Sequence, residues 1–197
     1  MAREGELDAK LVAALERLTQ ALKGELGRRA RVHGLSPLQA QLLGYLLVIE
    51  RRPRHEPIGV KELAGAFGLA MGTVSEALSA LEAKGLVRKE SSPTDGRAVA
   101  LRLTPQGERT AEELAGWAEA LLGPLEGLPR EAKAQALRVL LELIGALQRR
   151  GRIPYVRMCL SCAYFERPSY CRLLQRSLKP EELRVDCPDH VPVSQTS

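Results

Sequence analysis

Aromatic side chains make up only 4% of this sequence, and no cysteine occurs before Cys159. Sandwiches and barrels draw on aromatic and β-branched residues, so their scarcity leaves the apolar weight to Leu, Ala and Val and predicts a mainly α fold. Long uncharged stretches are missing too. The longest, Val32 to Ile49, carries His33, Ser36, Pro37, Gln39 and Gln41, which is too polar for a membrane-spanning helix. No N-terminal hydrophobic block follows the first charges, so the expected location is the cytoplasm, with no membrane partner. Histidine is sparse, with three residues in all. No Ser/His/Asp set, phosphate loop or dinucleotide fingerprint accompanies them, and the chain is not expected to be an enzyme.

A chain of 197 residues with 45% hydrophobic and 27% charged side chains has the balance of one or two folded domains. Its net charge of +5 permits a polyanionic partner without identifying one. Leu7, Leu11, Leu15, Leu18, Leu22 and Leu26 recur at threes and fours and draw one apolar stripe along a long helix that needs a partner surface. Ser36-Pro37-Leu38-Gln39 supplies an N-cap, a first-turn proline and a capping-box glutamine, so a second helix is predicted from Pro37 to Glu50. Thr104-Pro105 starts another helix carrying Leu114, Trp117, Leu121 and Leu122, with a break or kink expected at Gly123-Pro124. A last helix, Pro129 to Arg150, is predicted to bury Leu137, Leu140, Leu141, Ile144 and Leu147.

Between these lies a more informative stretch. From Val60 the helical period runs in two short pieces broken at Gly68, with Ala64 small enough for helices to cross and Val74 inside the second piece. This is the pattern of a helix-turn-helix. In the second helix Val74, Ala77, Leu78 and Leu81 fall on one side, leaving Gly72, Ser75, Glu76, Ser79 and Ala83 on the opposite side. Small and hydroxyl residues near a helix N-terminus allow close approach to a major groove. Two extended pieces follow, joined by the turn signal Ser92-Pro93-Thr94-Asp95-Gly96, which predicts a β-hairpin. Lys84, Arg88, Lys89, Arg97 and Arg102 against Glu90 and Asp95 give residues 84–102 an excess of five minus two, or +3. That is a footprint suited to phosphate.

Thr73-Val74-Ser75, Leu81-Glu82-Ala83-Lys84-Gly85-Leu86-Val87-Arg88, and Asp95-Gly96-Arg97 running into Leu101-Arg102-Leu103-Thr104-Pro105-Gln106-Gly107 resemble the multiple-antibiotic-resistance regulator (MarR) family of winged-helix repressors. The resemblance covers residues 5 to 150. It implies a homodimer on a palindromic operator in double-stranded DNA, with dimerisation helices at about 5–30 and 105–150 and a winged helix at about 36–104. By the same resemblance Gly72, Thr73, Ser75, Glu76, Ser79, Lys84 and Arg88 belong to the DNA-binding surface and Arg97 reaches a minor groove. Asp95 would orient the wing arginines, since a carboxylate is repelled by phosphate. Glu76 departs from the family, which often has a neutral or basic residue there. A small-molecule effector is implied as well, with no pocket residues assigned.

After Gly151 the helical pattern stops, and residues 151–197 are expected to form a cysteine-rich metal-binding tail. The spacing is Cys159-x2-Cys162-x8-Cys171-x15-Cys187-x2-His190. In a reducing compartment such a cluster points to metal rather than disulfides. Four thiolates satisfy a tetrahedral zinc, with His190 as an alternative ligand in place of one cysteine. An iron–sulfur cluster on the same thiolates, giving a redox-sensing regulator, is the second reading. A thiol-disulfide protein using Cys159 and Cys162 is a third, although no βαβ pattern surrounds them. Tyr164, Phe165, Tyr170, Leu173 and Leu174 are expected to pack over the site.

Overall fold

A computed structural model describes residues 4–52, 58–91, 99–116 and 119–193. The chain is mainly helical and divides into two compact units, Met1–Val60 with Met71–Gly123, and Lys61–Ala70 with Pro124–Ser197. No single helix among the described residues is long and apolar enough to cross a membrane.

The first unit opens on α1 (Glu4–Val32), 29 residues long. Its C-terminal end is buried at Leu26 and Ala30, whereas Leu7, Leu11, Val12 and Leu18 are exposed. The capping box at Ser36 forms: its hydroxyl accepts from Gln39 N at 3.2 Å, and Gln39 Oε1 accepts from Ser36 N at 3.0 Å. It starts α2 (Pro37–Glu50), which packs against α1, α4 (Met71–Ala83), β2 (Val99–Leu103) and α5 (Pro105–Ala115). Being enclosed by four elements, α2 is buried almost all round, at Ala40, Leu42, Leu43, Leu46, Leu47 and Ile49. The cap should matter measurably: Ser36→Ala is expected to cost about 1 kcal/mol, read as a lower urea midpoint with an unchanged slope.

Strand β1 (Val87–Ser91) pairs antiparallel with β2, Val87 opposite Leu103 and Ser91 opposite Val99. The outer edge of β2 is fastened twice: Leu103 N donates to Glu50 Oε1 at 2.9 Å, and Leu101 N to Ile58 O at 2.8 Å. Thr104 then caps α5, accepting from Gly107 N at 3.0 Å while its hydroxyl donates to Gly85 O at 2.6 Å. Next, α5 ends at Gly116, and α6 (Glu119–Glu126) contains Pro124 inside it. The break therefore precedes the expected Gly123-Pro124. A Cβ at Gly116 would sit 2.5 Å from Arg29 Nη1, and Arg29 also lies 3.9 Å from Glu119 Oε2. Room for that guanidinium exists where the side chain is missing. Pro124 forgoes one backbone hydrogen bond in a short helix. Trp117 lies outside the described residues.

In the second unit, α3 (Val60–Phe67) ends in a Schellman turn, Leu69 N donating to Ala64 O at 3.0 Å and Gly68 N to Gly65 O at 3.3 Å. Gly68 takes φ +63°, open to glycine at little cost. Pro154 packs on it, 3.2 Å from where a Cβ would stand. The long helix α7 (Arg130–Arg149) buries Ala134, Leu141 and Gly145. Leu137 and Ile144 are half-buried, but Leu140 is exposed, so the predicted stripe is narrower than its leucines suggest. The tail folds over this face as short 3₁₀ turns at Cys159–Ser161 and Pro180–Glu182 and a three-stranded antiparallel sheet. Its strands β3 (Phe165–Glu166), β4 (Tyr170–Cys171) and β5 (Arg176–Ser177) are two residues each. Leu141, Met158, Cys159, Leu178 and Leu183 form its core.

Candidate nucleic-acid interface and cysteine cluster

Helix α4 is divided lengthwise by burial. Val74, Ala77, Leu78 and Leu81 are buried, while Gly72, Thr73, Ser75, Glu76, Ser79 and Ala83 are exposed. The division follows from 3.6-residue spacing, and it leaves outward a face whose side chains are short apart from Glu76. Such a face admits a partner close to the helix backbone.

Basic side chains at the hairpin are held by acids of the same unit. Arg88 Nη2 lies 2.9 Å from Glu90 Oε1, Lys89 Nζ 2.6 Å from Glu82 Oε2, and Arg102 Nε 3.9 Å from Glu90 Oε2. Exposed pairs of this kind are worth about 0–1 kcal/mol, so a phosphate could displace the carboxylates cheaply. Lys84 stands apart. Its ammonium donates to the carbonyl of Gly34 and lies 3.5 Å from Gln39 Oε1, which gives it a structural tie to the loop after α1. Asp95 and Arg97 lie outside the described residues.

The tail assembles its thiols from four places. Cys159 opens a 3₁₀ turn, Cys162 bridges to Pro192, Cys171 ends β4, and Cys187 follows the second turn, its N–H donating to Arg157 O at 2.7 Å. None is in a disulfide. Arg184 and Cys159 are reciprocally bonded: Arg184 N donates to Cys159 Sγ at 3.2 Å, and Cys159 N to Arg184 O at 3.1 Å. The Arg184 guanidinium is 3.7 Å from Cys187 Sγ. Burial pushes the Cys159 thiol above its ordinary range, the bond from Arg184 opposes this, and negative charge at Cys187, Cys171 and Cys162 pushes the same way as burial. Among the described residues no group of three or more His, Cys, Asp or Glu is placed to hold a metal ion.

His190 is engaged elsewhere. Its Nε2 is 3.0 Å from Ser161 O, 3.1 Å from Ser161 Oγ and 3.1 Å from the Tyr155 hydroxyl. A carbonyl only accepts, so the network assigns the proton to Nε2. Burial lowers the pKa of this imidazole. Ligation through Nε2 would require surrendering that bond. Of the residues expected to cover the site, Phe165 packs on the tail core, whereas Tyr170, Leu173 and Leu174 are exposed. Sequence reasoning missed Arg184 and Met158, which no spacing rule marks: one acts through its backbone N–H, the other by filling space beside Gly145.

Comparison with known proteins supplies a context for this geometry. The sequence model of the MarR family matches residues 33–98, so the cysteines lie beyond it. A curated relative, the uncharacterised HTH-type transcriptional regulator YxaD of Bacillus subtilis (strain 168), is 38% identical over 63 residues, 32% of this chain. The chain spans 44% of the length of that relative. The fold resembles that of MepR from Staphylococcus aureus in its DNA complex, with TM-score 0.59, 20% identity, 69% of this chain and 97% of that one. It also resembles YusO from Bacillus subtilis, with TM-score 0.53, 23% identity, 73% of this chain and 99% of that one.

Proposed function

We propose that the chain is a MarR-family regulator that binds double-stranded DNA as a homodimer through α4 and the β1–β2 hairpin, and represses transcription from a palindromic operator. The observation that carries this reading is the exposed, short-chained face of α4 leading in sequence into a hairpin with a +3 excess. In that role Gly72, Thr73, Ser75 and Ser79 approach base edges, Arg88 exchanges Glu90 for a phosphate, and Glu76 restrains nonspecific affinity by repelling the backbone. Lys84 contributes field rather than contact while it holds Gly34. The second copy is called for by α1, where Leu7, Leu11 and Leu18 recur on one exposed face. Burying such a stripe against its own symmetry mate removes it from water.

Arg97→Ala tests the reading. It is expected to weaken binding to a palindromic duplex by about 1–3 kcal/mol, measured by fluorescence anisotropy at fixed salt, with light scattering giving a dimer. Unchanged affinity would remove the wing from the interface, and a monomer that binds tightly would remove the symmetry argument.

We further infer that Cys159, Cys162, Cys171 and Cys187 form a metal site. Three unoxidised thiols around one cavity, the fourth on the same turn as Cys159, and a backbone N–H on one sulfur support it. His190 Nε2 is taken up by Ser161 O, so a histidine ligand in place of one thiolate would bind through Nδ1.

A further inference from the structure

Three of the four cysteines surround a space rather than a point. Cys159, Cys171 and Cys187 line one cavity of about 250 Å³, together with Leu173, Leu174, Leu178 and the pairs Arg176–Glu182 and Arg184–Asp189. A zinc ion holds each of four thiolates at about 2.3 Å, which draws the sulfurs into mutual contact and leaves no room between them. The described residues show no such gathering of three donors. A cluster puts a body of its own between the thiolates and bonds each at a separate corner.

We propose that this cavity seats a four-iron, four-sulfur cluster, with one iron each on Cys159, Cys162, Cys171 and Cys187. The inference deepens the cysteine-site reading and rests on it. Three ligands already line the cavity wall. Cys162 is buried and closes the same turn, its N–H donating to Cys159 O at 3.1 Å. When a preformed cluster enters, four thiols each lose a proton to solvent, and the thiolates replace the four exchangeable ligands on the irons; no electron is transferred. The wall suits a negatively charged cluster. Arg184 offers its N–H to Cys159 and its guanidinium to Cys187, and hydrogen bonds to ligand sulfurs are a principal control on cluster stability and potential. The two wall carboxylates are occupied by the two wall arginines, at 2.9 Å for Glu182 and 3.7 Å for Asp189. Leu173 and Leu174, more than two-fifths exposed, would be covered on one side by the cluster.

The test is elemental analysis of the full chain purified without oxygen, before and after reconstitution with iron and sulfide. It is read with visible absorption and with electron paramagnetic resonance after reduction. The expected result is four irons and four sulfides per chain, broad visible absorption and a paramagnetic reduced state. Serine at each cysteine in turn should lose most of the iron, with circular dichroism checking that the helices persist. One zinc per chain without sulfide would overturn the cluster and leave the cysteine site standing. A folded chain that takes neither metal would overturn both. Two irons with two sulfides would overturn the four-iron assignment, and full iron in Cys162→Ser would overturn the four-thiolate ligand set.

Discussion

Gly107→Ala is expected to destabilise the first unit by about 3 kcal/mol, the upper end of the ordinary cost of overpacking. A Cβ at this position would stand 1.8 Å from the carbonyl oxygen of Leu86 and 2.8 Å from its carbon. The obstacle is backbone, and it is pinned: Leu86 O accepts from Thr104 N at 3.1 Å, and Leu86 N donates to Leu81 O at 3.0 Å. Relief would therefore pull on the end of α4 and on the cap of α5 together. Thr104, which caps Gly107 N, also holds Gly85 O, so the same shift loosens two more bonds. This explains physically why the sequence runs Leu103-Thr104-Pro105-Gln106-Gly107: the threonine closes the helix start, and the glycine lets that start lie on the turn before β1. Urea unfolding checks the effect. Gly44→Ala in α2 is the control, because nothing lies within 4 Å of its Cβ position, and there the loss of glycine flexibility should be neutral or stabilising by up to about 1 kcal/mol. Equal effects at the two positions would show that the Leu86 contact carries no special cost.

Features decided by a few neighbouring residues were legible in the sequence. The bounds of α2, the caps at Ser36 and Thr104 and the turn at Gly68 depend on side chains within four positions of one another, and each lies where its residue types predict. The buried side of α4 was equally legible, because one helix period sets it. Features decided by distant partners were not. All-round burial of α2 follows from the four elements around it, and the missing side chain at Gly116 makes room for Arg29, 87 positions earlier. Lys84 reads as a phosphate ligand until Gly34 is seen to accept its proton. In the tail, the spacing of the cysteines announced a cluster of thiols, but two-residue strands have no period to detect. The enclosing arginines also act partly through backbone atoms, which leave no trace in side-chain pattern.

Leu141→Ala is expected to cost the second unit about 2–5 kcal/mol. Leu141 is fully buried among Met158, Cys159, Leu178 and Leu183. Short strands and two 3₁₀ turns contribute few backbone bonds of their own, so this patch is the main apolar support of the cysteine loops. Gly145 belongs to the same device: a Cβ there would meet Met158 Cε at 3.2 Å, and its absence lets the methionine settle onto α7. Ion pairs from Arg167 to Glu142 at 2.9 Å and from Arg130 to Glu181 at 3.0 Å are exposed and add about 0–1 kcal/mol each. They cannot replace the leucine. Because α7 supplies this wall, truncation after Arg150 would leave Leu141 and its half-buried neighbours Leu137 and Ile144 wet, so the point substitution is the cleaner perturbation. Its effect should reach α3 as well. Residues Lys61–Ala70 belong to this unit, and Pro154 packs on Gly68 at the turn between α3 and α4. A loosened tail therefore weakens the support of the Gly68 turn that ends α3. Thermal unfolding of Leu141→Ala followed by tyrosine fluorescence should show the lost stability, and hydrogen exchange at Leu69 N, which closes the turn after α3, should quicken with it. Unchanged protection of the Leu69 amide at a temperature where the tail has demonstrably unfolded would show that the turn after α3 holds its place without it.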